Sequence, residues 1–178
     1  VRFSQNTVVN AAVFVDGKMR SRVETAYFRI LKNAGNHGVN YKAYAVDEME
    51  MLPDFSKHKA VKKGSTYEIS IDHLELVREE HVAMEFEGYI EIEEAGTYVF
   101  TTASDDGSKL YINGKQVVDN DGDHGVILRD GEVELDEGLH EIKVSWFNGG
   151  GGKWLGVLYE GPGIPQQIIP PNKLYQSR

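Results

Sequence analysis

The feature that most limits how this chain can fold is the alternation running from Val82 to Glu93. Val82, Met84, Phe86, Ile90 and Ile92 fall on one parity, and Glu85, Glu87, Glu91 and Glu93 on the other. Side chains along a strand alternate with a period of two, so this stretch predicts a strand with one buried face and one wet face. Gly88 interrupts the apolar parity and predicts a bulge or a close approach by another backbone. The pattern returns as His140, Ile142, Val144 and Trp146 against Glu141, Lys143 and Ser145, which puts Trp146 in the core.

Turn signals at roughly ten-residue intervals divide the rest. Thr7 to Val15, the turn pair Asp16-Gly17 and the alternating segment Arg22 to Ile30 read as a hairpin. Polar, glycine-bearing residues 33–38 read as a linker after a first segment of residues 1–32, and residues 39–178 as the main domain. Val39 to Val46 predicts an early strand, Pro53 breaks Met51 to Phe55, and Tyr67 to Glu80 is ambiguous between short strands and a helical turn. Ala95-Gly96 turns the chain into Thr97 to Thr102, and Asn113-Gly114 is the strongest hairpin signal present. Val126 to Leu135 supplies further strands, Trp154 to Tyr159 a last strong one, and Gly161-Pro162-Gly163 with Ile169-Pro170-Pro171 closes the domain. Many short strands of this kind predict an all-β chain, an antiparallel sandwich or barrel.

Composition removes several function classes. The formal net charge is −9, from Asp+Glu 28 against Lys+Arg 19, and no basic face is visible to meet phosphates, which argues against nucleic acid. No apolar run reaches the length of a membrane-spanning helix. Cysteine is absent, which rules out a disulfide framework and thiolate-bound zinc. The chain starts without Met and in mid-pattern, so it is read as a piece of a longer protein. No nucleophile elbow, HExxH motif or phosphate loop is present, and no catalytic set of its own is expected.

The chemistry concentrates at Ser104-Asp105-Asp106-Gly107-Ser108, where one strand ends and another begins. A corner needs a glycine but not two adjacent carboxylates, which repel unless donors, water or a cation compensate them. The pair either caps loops by accepting backbone N–H groups or ligates an ion. Asp119, Asp121 and Asp123 have the 1-3-5 spacing of a calcium loop, but His124 stands where that loop requires glycine and Asp130 where it prefers Glu. Tyr111 and Trp154 are candidate platforms for sugar rings, Trp154 because it follows the Gly149-Gly150-Gly151-Gly152 loop.

Gly88-Tyr89-Ile90, Ala95-Gly96-Thr97-Tyr98-Val99-Phe100, Ser104 through Gly114 and Gly138-Leu139-His140-Glu141-Ile142 together resemble the PA14 domain. That family is a β-sandwich first described in anthrax protective antigen and found in bacterial glycosidases and fungal flocculins. Leu52-Pro53-Asp54-Phe55 and Ile169 through Tyr175 resemble its edges, so the likeness runs from about Val39 to Tyr175. In its lectin members an aspartate pair joined by a cis peptide, with an asparagine on a neighbouring loop, chelates Ca²⁺, and the ion takes sugar hydroxyls. Carried over, the resemblance implies Asp105, Asp106 and Asn148 as metal ligands, and these with Trp154 and Tyr111 as carbohydrate-binding residues.

Val9 through Lys18 followed by Ser21 to Tyr27 is similar to the last hairpin of the small β module at the C-terminal end of chitobiase and hexosaminidase-type enzymes. Together the two likenesses imply a non-catalytic accessory domain of a secreted, periplasmic or cell-surface bacterial glycoside hydrolase. Its partners would be a glycan and an upstream catalytic domain. A calcium-dependent adhesin lectin and a structural or protein-interaction module are the alternatives.

Overall fold

The computed structural model describes residues 7–28, 34–47, 49–72 and 74–177. Arg29, Ile30, Asn33 and His73, which belong to the expected hairpin, linker and ambiguous segment, lie outside the described residues. The chain divides into two compact units, Val1–Ala34 and Gly35–Arg178.

In the first unit, β1 (Thr7–Ala11) pairs antiparallel with β4 (Glu24–Phe28), Val9 opposite Ala26. A smaller hairpin is nested between them: β2 (Phe14–Val15) and β3 (Lys18–Met19), turning at Asp16-Gly17 with φ of 49° and 73°. Two residues with positive φ are what a tight hairpin turn matching the strand twist requires.

The second unit is an antiparallel β-sandwich. Its larger sheet is built on β7 (Val82–Ile92), flanked by β12 (Gly138–Asn148) and β5 (Val39–Ala45). It extends to β9 (Ser108–Ile112) and β10 (Lys115–Asn120) on one side and β6 (Lys62–Thr66) on the other; β15 (Leu174–Gln176) also pairs with β7. The smaller sheet runs β11 (Ile127–Leu135), β8 (Gly96–Asp105), β13 (Trp154–Gly161), β14 (Ile164–Ile168). Val82, Met84, Phe86, Ile90 and Ile92 face Tyr98, Phe100, Leu155, Val157 and Tyr159 from the other sheet in one buried cluster, with Trp146 among them at 0% exposure. Nonpolar burial on this scale, at about 25 cal/mol per Å², is what holds such a sandwich together.

Three details depart from the parity reading or refine it. Parity puts Glu85 on the wet face, but it is only 4% exposed. Tyr44 donates to it at 2.6 Å and Lys143 pairs with it, so neighbours from β5 and β12 cover the carboxylate. Gly88 makes no bulge, because the β7–β12 register is unbroken; a Cβ there would stand 2.6 Å from the carbonyl oxygen of Tyr175. It is a close approach by the returning strand. Finally, β14 and β15 lie in the stretch read only as a closing segment.

Within the expected linker, His37 bridges to Tyr175, and the Gly38 N–H donates to the Leu174 carbonyl at 2.9 Å. Among the described residues no helix is long and apolar enough to cross a membrane.

Candidate functional site

The two sheets are joined at residues 105–107, where β8 of the smaller sheet gives way to β9 of the larger. The Asp105–Asp106 peptide is cis. Asp106 is 3% exposed, and each of its oxygens is engaged: Oδ1 accepts from the His124 N–H at 3.1 Å and Oδ2 from the Gly149 N–H at 2.8 Å. The Phe147 N–H donates to the Gly107 carbonyl at 3.0 Å. These bonds gather the aspartate corner, the loop near His124 and the end of β12 into one cluster at one end of the sandwich.

Asn148 ends β12 and is fully buried. Its Nδ2 donates to the Glu79 carbonyl at 2.8 Å, which fixes the amide's orientation, and its Oδ1 has no hydrogen-bond partner among the described residues. A buried acceptor left unpaired costs about 1–3 kcal/mol, so an uncompensated Oδ1 is a feature that requires a reason.

The Asp105 carboxyl accepts no hydrogen bond from a described residue. Burial, then the neighbouring Asp106 charge, with Asp123 adding and His124 opposing, pushes its pKa above the usual carboxylate value. Gly152 lies close against the carboxylate: a Cβ there would stand 2.6 Å from Asp105 Oδ2, so a larger residue would have to push the carboxylate aside. The Asp105 carbonyl accepts from Trp146 Nε1 at 3.1 Å, which ties the corner to the core.

Beneath the corner lies a buried polar chain that parity reading passed over. Asn120 Nδ2 donates to Ser104 Oγ at 3.0 Å, Ser104 and Ser108 share a hydroxyl bond at 2.7 Å, and Ser108 donates to Thr102 Oγ1 at 3.0 Å. The signal was present: Thr102 and Ser104 occupy inward positions of a strand whose other inward residues are aromatic.

The raised Asp105 pKa gives a pH prediction with a definite sign. The folded state holds that proton more tightly than the unfolded chain, so Asp105 detracts from stability progressively as pH rises from the ordinary carboxylate range through its folded pKa, and fully above it. Without divalent cations, Asp105→Asn should therefore melt above the parent at pH 7. The difference should vanish below the ordinary carboxylate range, where both states are protonated. Thermal melts across pH in chelator check this, and a lower melting point for Asp105→Asn at pH 7 would contradict it.

The donor set suits a hard cation. Two carboxylates and an amide oxygen are oxygen ligands of the kind Ca²⁺ takes, and the orphaned Asn148 Oδ1 is the observation that fits. Among the described residues no group of three or more His, Asp or Glu side chains is placed to hold an ion, so amide and main-chain oxygens would have to complete the shell.

The PA14 domain family matches residues 35–173, the whole span of the sandwich apart from its last strand. The chain belongs to the PA14 family. Among solved structures, the PA14 sugar-binding domain from an RTX adhesin superposes with a TM-score of 0.68 at 18% identity, covering 80% of this chain and 99% of that one. An anti-sigma factor domain-containing protein from Clostridium clariflavum gives 0.67 at 21% identity, covering 80% of this chain and 48% of that one, so this chain spans about half its length. A β-glucosidase from Kluyveromyces marxianus, solved with glucose, gives 0.53 at 16% identity, covering 70% of this chain and 16% of that one. No curated protein matches the chain.

In this PA14 domain the remaining candidate residues divide. Trp154 is the register partner of Asp105 across β13 and β8, is 43% exposed, and its Nε1 comes within 3.4 Å of where a Gly156 Cβ would be. It therefore flanks the aspartate corner. Tyr111 is register partner to Lys143 on the outer face of the larger sheet and lines a separate groove. The 1-3-5 aspartates do not form a ring. Asp121 accepts from the Leu52 and Gly122 N–H groups at 2.8 and 3.0 Å and from Lys109 at 2.9 Å, while Asp119 accepts from Gln116 and the Asp121 N–H. That spacing serves as a tether between loops.

Proposed function

We propose that this PA14 domain is a non-catalytic carbohydrate-binding module that recognises a sugar diol through Ca²⁺ held by Asp105, Asp106 and Asn148, with Trp154 as the adjacent ring platform. The single observation that carries this reading is the buried, unpartnered Asn148 Oδ1 in the same loop cluster as two adjacent carboxylates. When bound, the ion supplies open positions for two vicinal hydroxyls. Asp106 is held by two backbone N–H groups and keeps further lone pairs for ligation. Asp105 relieves its own crowding, and Trp154 offers an apolar face to the C–H side of a ring. Among relatives in fold, the RTX adhesin domain is a sugar-binding domain and the β-glucosidase was solved with glucose.

The test is a thermal melt with calcium against chelator. A ligand that binds only the folded state stabilises it by RT ln(1 + [L]/Kd), about 2.7 kcal/mol at a hundredfold excess over Kd. Asp105→Asn and Asn148→Ala should abolish the calcium shift, while Asp130→Ala, on the exposed part of β11, should keep it. Identical curves with calcium and with chelator would leave the aspartate pair as a loop cap only.

The parent is read as a secreted, periplasmic or cell-surface glycoside hydrolase with its catalytic domain upstream. The support is the hairpin likeness carried by Val9 through Lys18 and Ser21 to Tyr27, together with the β2–β3 hairpin nested between β1 and β4. The adhesin reading predicts a parent gene without a catalytic domain, and a structural module predicts a silent glycan array. Sequencing the parent gene upstream of Val1 separates the first two.

A further inference from the structure

The outer face of the larger sheet carries a groove of about 650 Å³, distinct from the aspartate corner. Its floor is formed by the middle strands. Tyr89 is the register partner of Glu141 across β7 and β12, and Tyr111 the partner of Lys143 across β9 and β12, so the two tyrosines share a face on either side of β12. Two strand spacings across and two residues along put their Cα atoms about 12 Å apart. Leu52, Pro53 and Phe55 form the wall.

We propose that this groove is a second, calcium-independent binding site for a neutral oligosaccharide, with Tyr89 and Tyr111 as its ring platforms. Three observations lead there. First, the lysines of the floor are already neutralised: Lys143 pairs with Glu85, and Lys109 lies 2.9 Å from Asp121, so no uncompensated cation draws an anionic ligand. Second, β7, β9 and β12 are interior strands whose main chains are paired on both sides. An extended peptide finds no free edge to pair with, and recognition rests on side chains. What those side chains offer is two aromatic faces spaced for more than one ring, with phenol hydroxyls that bond to no described residue and the Glu141 carboxylate between them. Apolar ring faces edged by polar groups are the surface that pyranose units present in return. Third, the wall is fixed in advance. The Leu52 N–H donates to Asp121 at 2.8 Å, Phe55 packs on Tyr44 with ring centroids 5.0 Å apart, and Pro53 is buried, so a ligand meets a formed groove and pays little to order it.

The experiment is an amide-shift titration of the ¹⁵N-labelled chain, run in chelator, with laminaritriose, maltotriose and triacetylchitotriose. At least one trisaccharide should shift the amides around Tyr89, Tyr111 and Lys143. Tyr111→Ala should weaken that binding by about tenfold, Tyr111→Phe should retain it, and Asp105→Asn should leave it unchanged. The proposal is overturned if none of the three trisaccharides shifts these amides. It is equally overturned if the shifts require calcium or disappear in Asp105→Asn, which would assign them to the aspartate corner. Because calcium is removed throughout, failure here leaves the calcium reading standing, and failure of the calcium melt leaves this site untouched.

Discussion

Trp146→Ala should cost the sandwich about 3–5 kcal/mol, the ordinary penalty for emptying a large buried aromatic site. Trp146 is fully buried on β12, the strand between β7 and β9, in the cluster that joins both sheets. Surrounding strands paired on both sides cannot collapse far into the space. The indole also donates to the Asp105 carbonyl at 3.1 Å, so its loss should loosen the aspartate corner together with the core. Trp146→Phe separates the two effects, keeping most of the volume and losing the hydrogen bond, worth about 0.5–1.5 kcal/mol. Urea unfolding of both variants measures this. A cost below about 1 kcal/mol for the alanine variant would mean that the indole is not a core element.

Asp106→Ala should be nearly as damaging, for a different reason. Alanine leaves the His124 and Gly149 N–H groups facing a site without an acceptor, at about 1–3 kcal/mol for each stranded donor. Asp106→Asn retains one acceptor oxygen and should recover part of the loss. Faster amide exchange at His124 and Gly149 in the alanine variant, beyond what global destabilisation explains, is the specific readout. Unchanged exchange at both amides would show that Asp106 does not organise the two loops. This penalty exists without metal, which is why the calcium test uses Asp105→Asn and Asn148→Ala.

Local patterns carried much of the architecture. The two-residue alternation from Val82 to Ile92 and from His140 to Trp146 specifies which side chains go inward, because a strand's geometry imposes that period whatever it pairs with. Asp16-Gly17 and Asn113-Gly114 specify their hairpins because the required positive φ is a property of those residues. The aspartate pair stands out for its like charges, and the motifs around it lie within residues 35–173, the span that the PA14 family matches.

Other features depend on partners distant in the chain, and only the tertiary structure decided them. β14 and β15 lack a clear alternation of their own; β14 is a strand because β13 offers it an edge, and β15 because it fills the side of β7 at residues 88–90 that β5 does not reach. Glu85 is buried because Tyr44, some forty residues earlier, bonds to it, and no rule of parity carries that information. Sequence reasoning names both Trp154 and Tyr111 as platforms, with nothing to say whether they share one site. Pairing sets Trp154 beside Asp105 and Tyr111 beside Lys143 on the outer face of the larger sheet. The unpartnered oxygen of Asn148 is of the same kind: asparagine at that position was legible in the sequence, but its amide orientation is set by a carbonyl 69 residues away. Periodicity and turn chemistry are local and survive in the sequence. Burial of polar groups and convergence of loops arise from non-local packing, and they exist only once both sheets have closed on the core.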